Sequence, residues 1–229
     1  MKLAPLLISG TDTAVGKTKT ACDLAREFSR RGVEVGVMKP VETGCEALGA
    51  NLAPADAIAL RSSSGCKAPL DTICPYRYRT PLAPAAAAEI ERAQSPDFEV
   101  IKERFDALTR AHEIVLVEGA GGLAVPITWE KNYADLALEL NLTLILVVGN
   151  RLGCINSAVL SLDYAARRGL RIGGYILNDT DDHATPATET NADSLRRLLS
   201  AAFLGAVRYQ KPLANESVER IIALSRLGP

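Results

Sequence analysis

The stretch "ISGTDTAVGKTKT", Ile8 to Thr20, decides the fold. It leaves a short apolar strand, "PLLIS", and ends inside a helical pattern that opens at Lys17. A strand, a glycine-bearing loop and Gly16-Lys17-Thr18 at the head of a helix predict a phosphate-binding loop. Glycines let backbone N–H groups turn inward and cradle phosphate oxygens. The helix N-terminus adds its partial positive charge. In this reading Lys17 reaches the β- and γ-phosphates, and the Thr18 hydroxyl is placed to ligate Mg²⁺. Gly10 precedes Gly16 by one residue more than the common spacing. The alternative, an ordinary glycine turn capping a helix, is weakened by the flanking strand and helix.

Outward from the loop, β-rich runs alternate with helical patterns. Strands are expected near Leu6–Ser9, Val33–Lys39, Ile114–Glu118, Leu144–Val148, Ile172–Leu177 and Leu204–Val207. Helices are expected near Lys17–Arg30, Pro54–Ser62, Pro84–Ala93, Phe98–Ala111, Tyr133–Leu140, Ile155–Arg168, Asp193–Ala201 and Glu216–Leu224. "IVLV" and "LILVV" are apolar on consecutive positions, as strands covered on both faces are. The alternation predicts an α/β fold with a mainly parallel sheet wrapped by helices. "DDHATPATETN", Asp181 to Asn191, is the most polar segment and reads as a loop becoming a helix. The 229 residues fit one domain, 1–229, better than two.

Net charge is −1 with no basic run, so neither nucleic acid nor an acidic membrane surface is expected as a partner. The five cysteines are odd in number and form no Cys-x-x-Cys pair. That argues against a disulfide framework or structural zinc and for a reducing cytoplasm. The N-terminal residues are too soon interrupted by Gly10 to form a secretory signal. The longest apolar runs, such as "LTLILVVG", are strand-sized and too short to span a bilayer.

In folds of this kind ligands bind beyond the carboxyl ends of the strands. The second strand ends at Lys39 in "MKPVETG". If that strand neighbours the first, its ammonium points at the phosphate site, although a solvated strand-end lysine is the plainer reading. One unit-charge pair at about 4 Å and an effective dielectric of about 20 is worth roughly 4 kcal/mol. The third strand runs into "LVEGAGGLAVP". A carboxylate directly after four apolar residues is costly unless paired or metal-bound. Glu118 is therefore read as a magnesium-site carboxylate in preference to a surface residue on a tight turn. Gly119, Gly121 and Gly122 then allow close backbone approach to a ligand. "GNRLGCIN" follows the fourth strand. The fifth ends at Asn178, whose amide can offer a donor and an acceptor to an adenine edge, although taken alone it reads as a turn residue, since Asn-Asp pairs favour turns.

Taken together, "GTDTAVGKT", "KPVETG", "ADAIAL", "VEGAGG", "LGCIN" and "ND" resemble dethiobiotin synthetase in order and spacing. The resemblance runs to about Val207 and covers the extra loop residue. It implies a P-loop NTPase-like three-layer α/β/α fold with a mainly parallel sheet of about seven strands. It implies ring closure of 7,8-diaminononanoate with CO₂ and MgATP, through a carbamate and its mixed anhydride with phosphate. Lys17 and Lys39 resemble the catalytic cations, and Thr18, Asp56 and Glu118 the magnesium ligands. ATP contacts are implied at Ala14, Val15, Gly16, Lys17, Thr18, Lys19, Asp56, Glu118, Gly119, Ala120 and Gly121. Further ATP contacts are implied at Asn178, Asp179, Gly205, Ala206, Val207 and Glu216, the last as a ribose partner. Substrate contacts are implied at Thr43, Gly121, Gly122, Gly153, Cys154 and Asn156. A cytoplasmic homodimer with active sites near its interface is implied too. Ala14 departs from the family in replacing an acidic residue found in some members, and Arg208–Glu216 is longer and more basic than expected. One rival is a cobyrinate amidase-type ligase, which usually carries a glutaminase domain. The other is a partitioning ATPase, which carries a further lysine in the loop; Gly10–Val15 has none.

Overall fold

The runs expected as strands all enter one sheet. In the computed structural model, residues 2–49 and 51–226 are described. In chain order the first elements are β1 (Leu6–Gly10), α1 (Lys17–Arg30), β2 (Val35–Met38), β3 (Val41–Glu42), β4 (Glu46–Leu48), β5 (Asn51–Ala53), α2 (Ala55–Ser64), α3 (Leu70–Ile73), β6 (Tyr76–Arg77) and α4 (Pro84–Glu91). There follow α5 (Phe98–Ala111), β7 (Ile114–Glu118), α6 (Tyr133–Glu139), β8 (Thr143–Asn150), α7 (Cys154–Arg167), β9 (Arg171–Asp179), α8 (Pro186–Leu198), β10 (Phe203–Val207) and α9 (Asn215–Arg226).

Among the described residues the central sheet has six strands in the order β10-β9-β8-β1-β7-β2, with every neighbouring pair parallel. About seven were expected. Pro40 stops β2, and the next extended pieces pair among themselves, β3 with β6 and β4 with β5. β2 lies beside β7, which separates it from β1. The order of strand connection reverses around β1, from β2 and β7 on one side to β8 and β9 on the other, which puts a ligand crevice at its carboxyl end.

β8 shows how the layers arise. All eight of its residues are buried. Leu146 and Val148 join Ala158, Leu162 and Leu195 of α7 and α8. Ile145 and Val147 join the larger core, which holds Leu24 and Phe28 of α1 and Val218 and Ile221 of α9. Alternate side chains thus feed two faces, and burying each such side chain is worth about 1.5–3 kcal/mol.

α8 starts at Pro186, earlier than the expected Asp193. Thr185 and Thr188 form a reciprocal capping box, and Pro186 takes the first helical position, where a missing N–H costs nothing. α7 buries Ala158, Leu162 and Ala165 but leaves Leu160 59% exposed. Among the described residues no helix is long and apolar enough to cross a membrane.

Candidate active site

The loop between β1 and α1 is shaped by what its glycines avoid. A Cβ on Gly10 would meet Val15 Cγ2 at 2.7 Å and the Asp12 carbonyl at 2.9 Å. Gly16 has φ +91°, and a Cβ there would meet Asn178 Nδ2 at 2.3 Å. Only glycine fits either place. Ala14 also takes a left-handed φ, 55°, unusual for a residue with a side chain. Gly16 caps α1 with no side-chain hydrogen bond, and no acid occupies the first turn. The helix therefore presents its free N–H groups and positive end to the cleft.

A cleft of about 420 Å³ opens there, lined by the loop, Lys39, Glu42, Thr43, Asp56, Glu118, Ala120 and Gly121. Lys17, nearly buried, donates from Nζ to the Asp12 carbonyl at 2.7 Å. Burial and the neighbouring Lys39 charge push its pKa down to about 8. Lys39 is 3% exposed, so it is no solvated strand-end lysine. Its Nζ donates to Glu118 Oε1 at 2.6 Å and Asp56 Oδ2 at 2.8 Å. Burial opposes its charge, but the two carboxylates outweigh burial and raise its pKa. Asp56 shows the converse: burial pushes its carboxyl up, and the Lys39 charge more than offsets this and holds it below the usual range.

Glu118 is 1% exposed. Its Oε1 accepts from Thr18 Oγ1 at 2.7 Å as well as from Lys39. Its Oε2 is buried without a hydrogen-bond partner. An orphaned carboxylate oxygen beside a hydroxyl and a second carboxylate is a donor set that fits a hard divalent cation.

Glu42 was missed by sequence reasoning. Its carboxylate accepts from the backbone N–H of Asp56 at 2.9 Å and of Ala57 at 3.0 Å. Burial raises its pKa. The sequence carries little signal for it: only Val41 precedes it in its two-residue strand, whereas Glu118 follows four apolar residues. Tyr133, also missed, is fully buried beneath the turn after Glu118; a Cβ on Gly119 would lie 3.3 Å from its ring.

Across β1 the polar groups are amides. Asn178 Nδ2 donates to the Val15 carbonyl at 3.0 Å, while its Oδ1 is buried and unpartnered. Asn150 Nδ2 donates to Asp179 Oδ1 at 2.7 Å and Asn191 Nδ2 to Asn150 Oδ1 at 2.9 Å. Val207 pairs with Asn178 at the strand ends. Lys19 reaches Asp23 at 2.9 Å and the Lys211 carbonyl, and Leu213 N–H donates to Asp23 Oδ2 at 3.2 Å. The segment after β10 is thereby tied to α1.

The cleft brings together Ala14, Gly16, Lys17, Thr18, Lys19, Lys39, Thr43, Asp56, Glu118, Ala120 and Gly121. Val15 is buried below the loop, and Gly122 lies against the Gly10 carbonyl. Gly205 lies against α9, where a Cβ would strike Ser217 Oγ at 2.0 Å. Ala206 and Glu216 are exposed. Gly153, Cys154 and Asn156 do not line the cleft. Cys154 is 3% exposed and packs in the cluster that holds Leu146 and Val148.

Residues 4–217 match a family model described as an AAA domain. The chain is 40% identical over 212 residues to the ATP-dependent dethiobiotin synthetase BioD of Anaeromyxobacter dehalogenans (strain 2CP-C), a match covering 93% of each. It is 42% identical over 202 residues to the protein of that name from Aromatoleum aromaticum, covering 88% of this chain and 89% of the relative. Among solved structures, a plasmid partition protein from Borrelia burgdorferi superposes with a TM-score of 0.57 at 13% identity, covering 97% of this chain and 98% of that one. That likeness shows a shared α/β fold alone.

Proposed function

The chain belongs to the dethiobiotin synthetase family, and on that premise we propose that it converts 7,8-diaminononanoate, CO₂ and ATP to dethiobiotin, ADP and phosphate. The observation that carries the reading is the meeting of Lys17, Lys39, Thr18, Asp56 and Glu118 in one cleft at the head of α1. One amine of the substrate captures CO₂ as a carbamate. The carbamate oxygen attacks the γ-phosphorus and ADP leaves. The second amine then attacks the carbonyl of the mixed anhydride, phosphate leaves, and the urea ring closes. Carbamate and triphosphate are both anionic, so positioning and charge neutralisation are the main work. Lys17 and the N–H groups of α1 hold the triphosphate. Lys39 faces the carbamate and the charge that develops on the transferred phosphoryl group.

Thr18, Asp56 and Glu118 would hold Mg²⁺, which supplies charge neutralisation at the phosphates when bound. Asn178 meets the base. Its Nδ2 gives one of its two hydrogens to Val15, and its Oδ1 is an unpartnered acceptor that matches an exocyclic amine of adenine. Asp179, Ala206, Val207 and Glu216 lie near the base and ribose. Thr43, Gly121 and Gly122 face the diamine. α7 exposes Leu160 at 59%, and Leu152 just before it is 87% exposed. In the proposed homodimer this face is covered and brings Gly153 and Asn156 to the partner's substrate. The proposed location is the cytoplasm.

The test is to incubate the protein with the diamine, bicarbonate and MgATP and to follow dethiobiotin by mass spectrometry. Product should form, and ATP hydrolysis should require the diamine. Hydrolysis that runs undiminished without it, with no product mass, would sink the reading and favour a nucleotide-driven switch.

A further inference from the structure

We propose that Glu42 is a positioning residue: from the end of β3 its carboxylate caps the first turn of α2 and so holds Asp56 toward Lys39. This rests on the reading of Asp56 as a cation ligand. The N-cap position of α2 is Pro54, which makes no side-chain cap bond. The first N–H groups of the helix would be orphans. Glu42 Oε1 accepts from Asp56 at 2.9 Å and Oε2 from Ala57 at 3.0 Å. Both oxygens are thus committed to one helical turn, at the residue whose carboxylate reaches Lys39 Nζ at 2.8 Å.

Ala57 and Leu60 anchor α2 in the core, but no side chain of its own caps its first turn. The connection from β3 passes through the β4–β5 hairpin, and all three residues of β4 are exposed. The Asp56 side chain is itself 38% exposed, so it is not wedged in place by packing. Glu42 is 5% exposed, and burying a carboxylate is costly without such bonds. Groups that orient a metal ligand without touching the metal take this form. Glu42 also borders the cleft, so direct contact with a substrate amine is the alternative to exclude.

The experiment titrates the full-length protein with Mn²⁺ beside a non-hydrolysable ATP analogue and reads free Mn²⁺ by electron paramagnetic resonance. Asp56→Asn and Glu118→Gln test the cation site itself. Glu42→Ala should weaken Mn²⁺ binding by roughly tenfold or more. Glu42→Gln keeps the volume and one acceptor oxygen, so it should lose less, and it carries the test if the alanine variant does not fold. Adding Glu42→Ala to Asp56→Asn should weaken binding no further, because one residue acts through the other. The KM for the diamine should stay unchanged in Glu42→Gln.

Suppose Asp56→Asn weakens Mn²⁺ binding while both Glu42 variants stay within about twofold of wild type; the positioning role is then overturned. Full additivity in the double variant overturns it as well. So does a Glu42→Gln protein with normal Mn²⁺ affinity and a raised KM for the diamine, which would put Glu42 on the substrate. If neither Asp56→Asn nor Glu118→Gln moves Mn²⁺ binding, the cation-site reading falls first and takes this proposal with it.

Discussion

The sheet buries polar groups of different kinds on the two sides of β1. Toward β7 and β2 they are ions: Lys39, Glu118 and Glu42, at 3%, 1% and 5% exposure. Toward β8 and β9 they are amides: Asn150, Asn178 and Asn191, at 5%, 4% and 4%. Charge acts at a distance and suits a triphosphate, whose own charge is the thing recognised. An amide is directional and suits a base, whose pattern of donors and acceptors is the thing recognised. The two sides should also fail differently. Removing one member of a buried ion cluster leaves the others uncompensated, at a cost on the order of 3–5 kcal/mol. Losing one neutral hydrogen bond costs about 1 kcal/mol.

The lysines give the largest expected effect. Lys17→Ala should cut dethiobiotin formation by about 10²–10³-fold or more, since it removes a charge aimed at the transferred phosphoryl group. Lys39→Ala should lower kcat on a similar scale with little change in ATP affinity, because the charge it faces appears after ATP has bound. Losing ATP affinity at constant kcat would move Lys39 to the nucleotide-binding side. Lys39→Ala also leaves Glu118 and Asp56 facing each other, so its Tm should fall and recover partly with added Mg²⁺.

The carboxylates come next. Glu118→Gln and Asp56→Asn should each raise the Mg²⁺ concentration for half-maximal turnover by about tenfold, a loss of about 1.4 kcal/mol. An unchanged magnesium curve in both would place the cation elsewhere.

On the amide side the effect should be smaller. Asn178→Ala should weaken ATP binding by about fivefold, as loss of one hydrogen bond of about 1 kcal/mol implies, with kcat preserved. It should also narrow the preference for ATP over GTP, measured by competition. A hundredfold fall in kcat (about 2.7 kcal/mol) would erase the distinction between the two sides.

The last effect is a proton, a fraction of one charge at neutral to mildly alkaline pH. Burial and the Lys39 charge push the Lys17 pKa down to about 8, and a bound triphosphate must raise that value. At pH 8 to 9 the complex then holds a proton that the free protein has partly lost. Nucleotide binding should take up a fraction of a proton there and weaken by at most about tenfold per pH unit above pH 8. Calorimetry in buffers of different ionisation enthalpy reads this directly. Proton release, or none, would mean that the triphosphate does not meet Lys17.

The sequence alone determined the strands, because β1, β7 and β8 are apolar on consecutive residues and bury every one of them. It also determined the phosphate loop, since Gly10, Gly16 and Lys17 act through backbone shape and the head of one helix, all within one short segment. Glu118 was legible because a charge after an apolar run needs a partner. Tertiary structure alone decided who that partner is. β7 lies beside β2, so Lys39 is buried against Glu118 instead of solvated, although 79 positions separate them. It also decided that Glu42 accepts from the Asp56 backbone, that Cys154 is buried in the core, and that Asn178 donates to Val15. Each depends on the register and crossing of distant elements, where a shift of an ångström makes or breaks a hydrogen bond. Local periodicity carries no record of that distance.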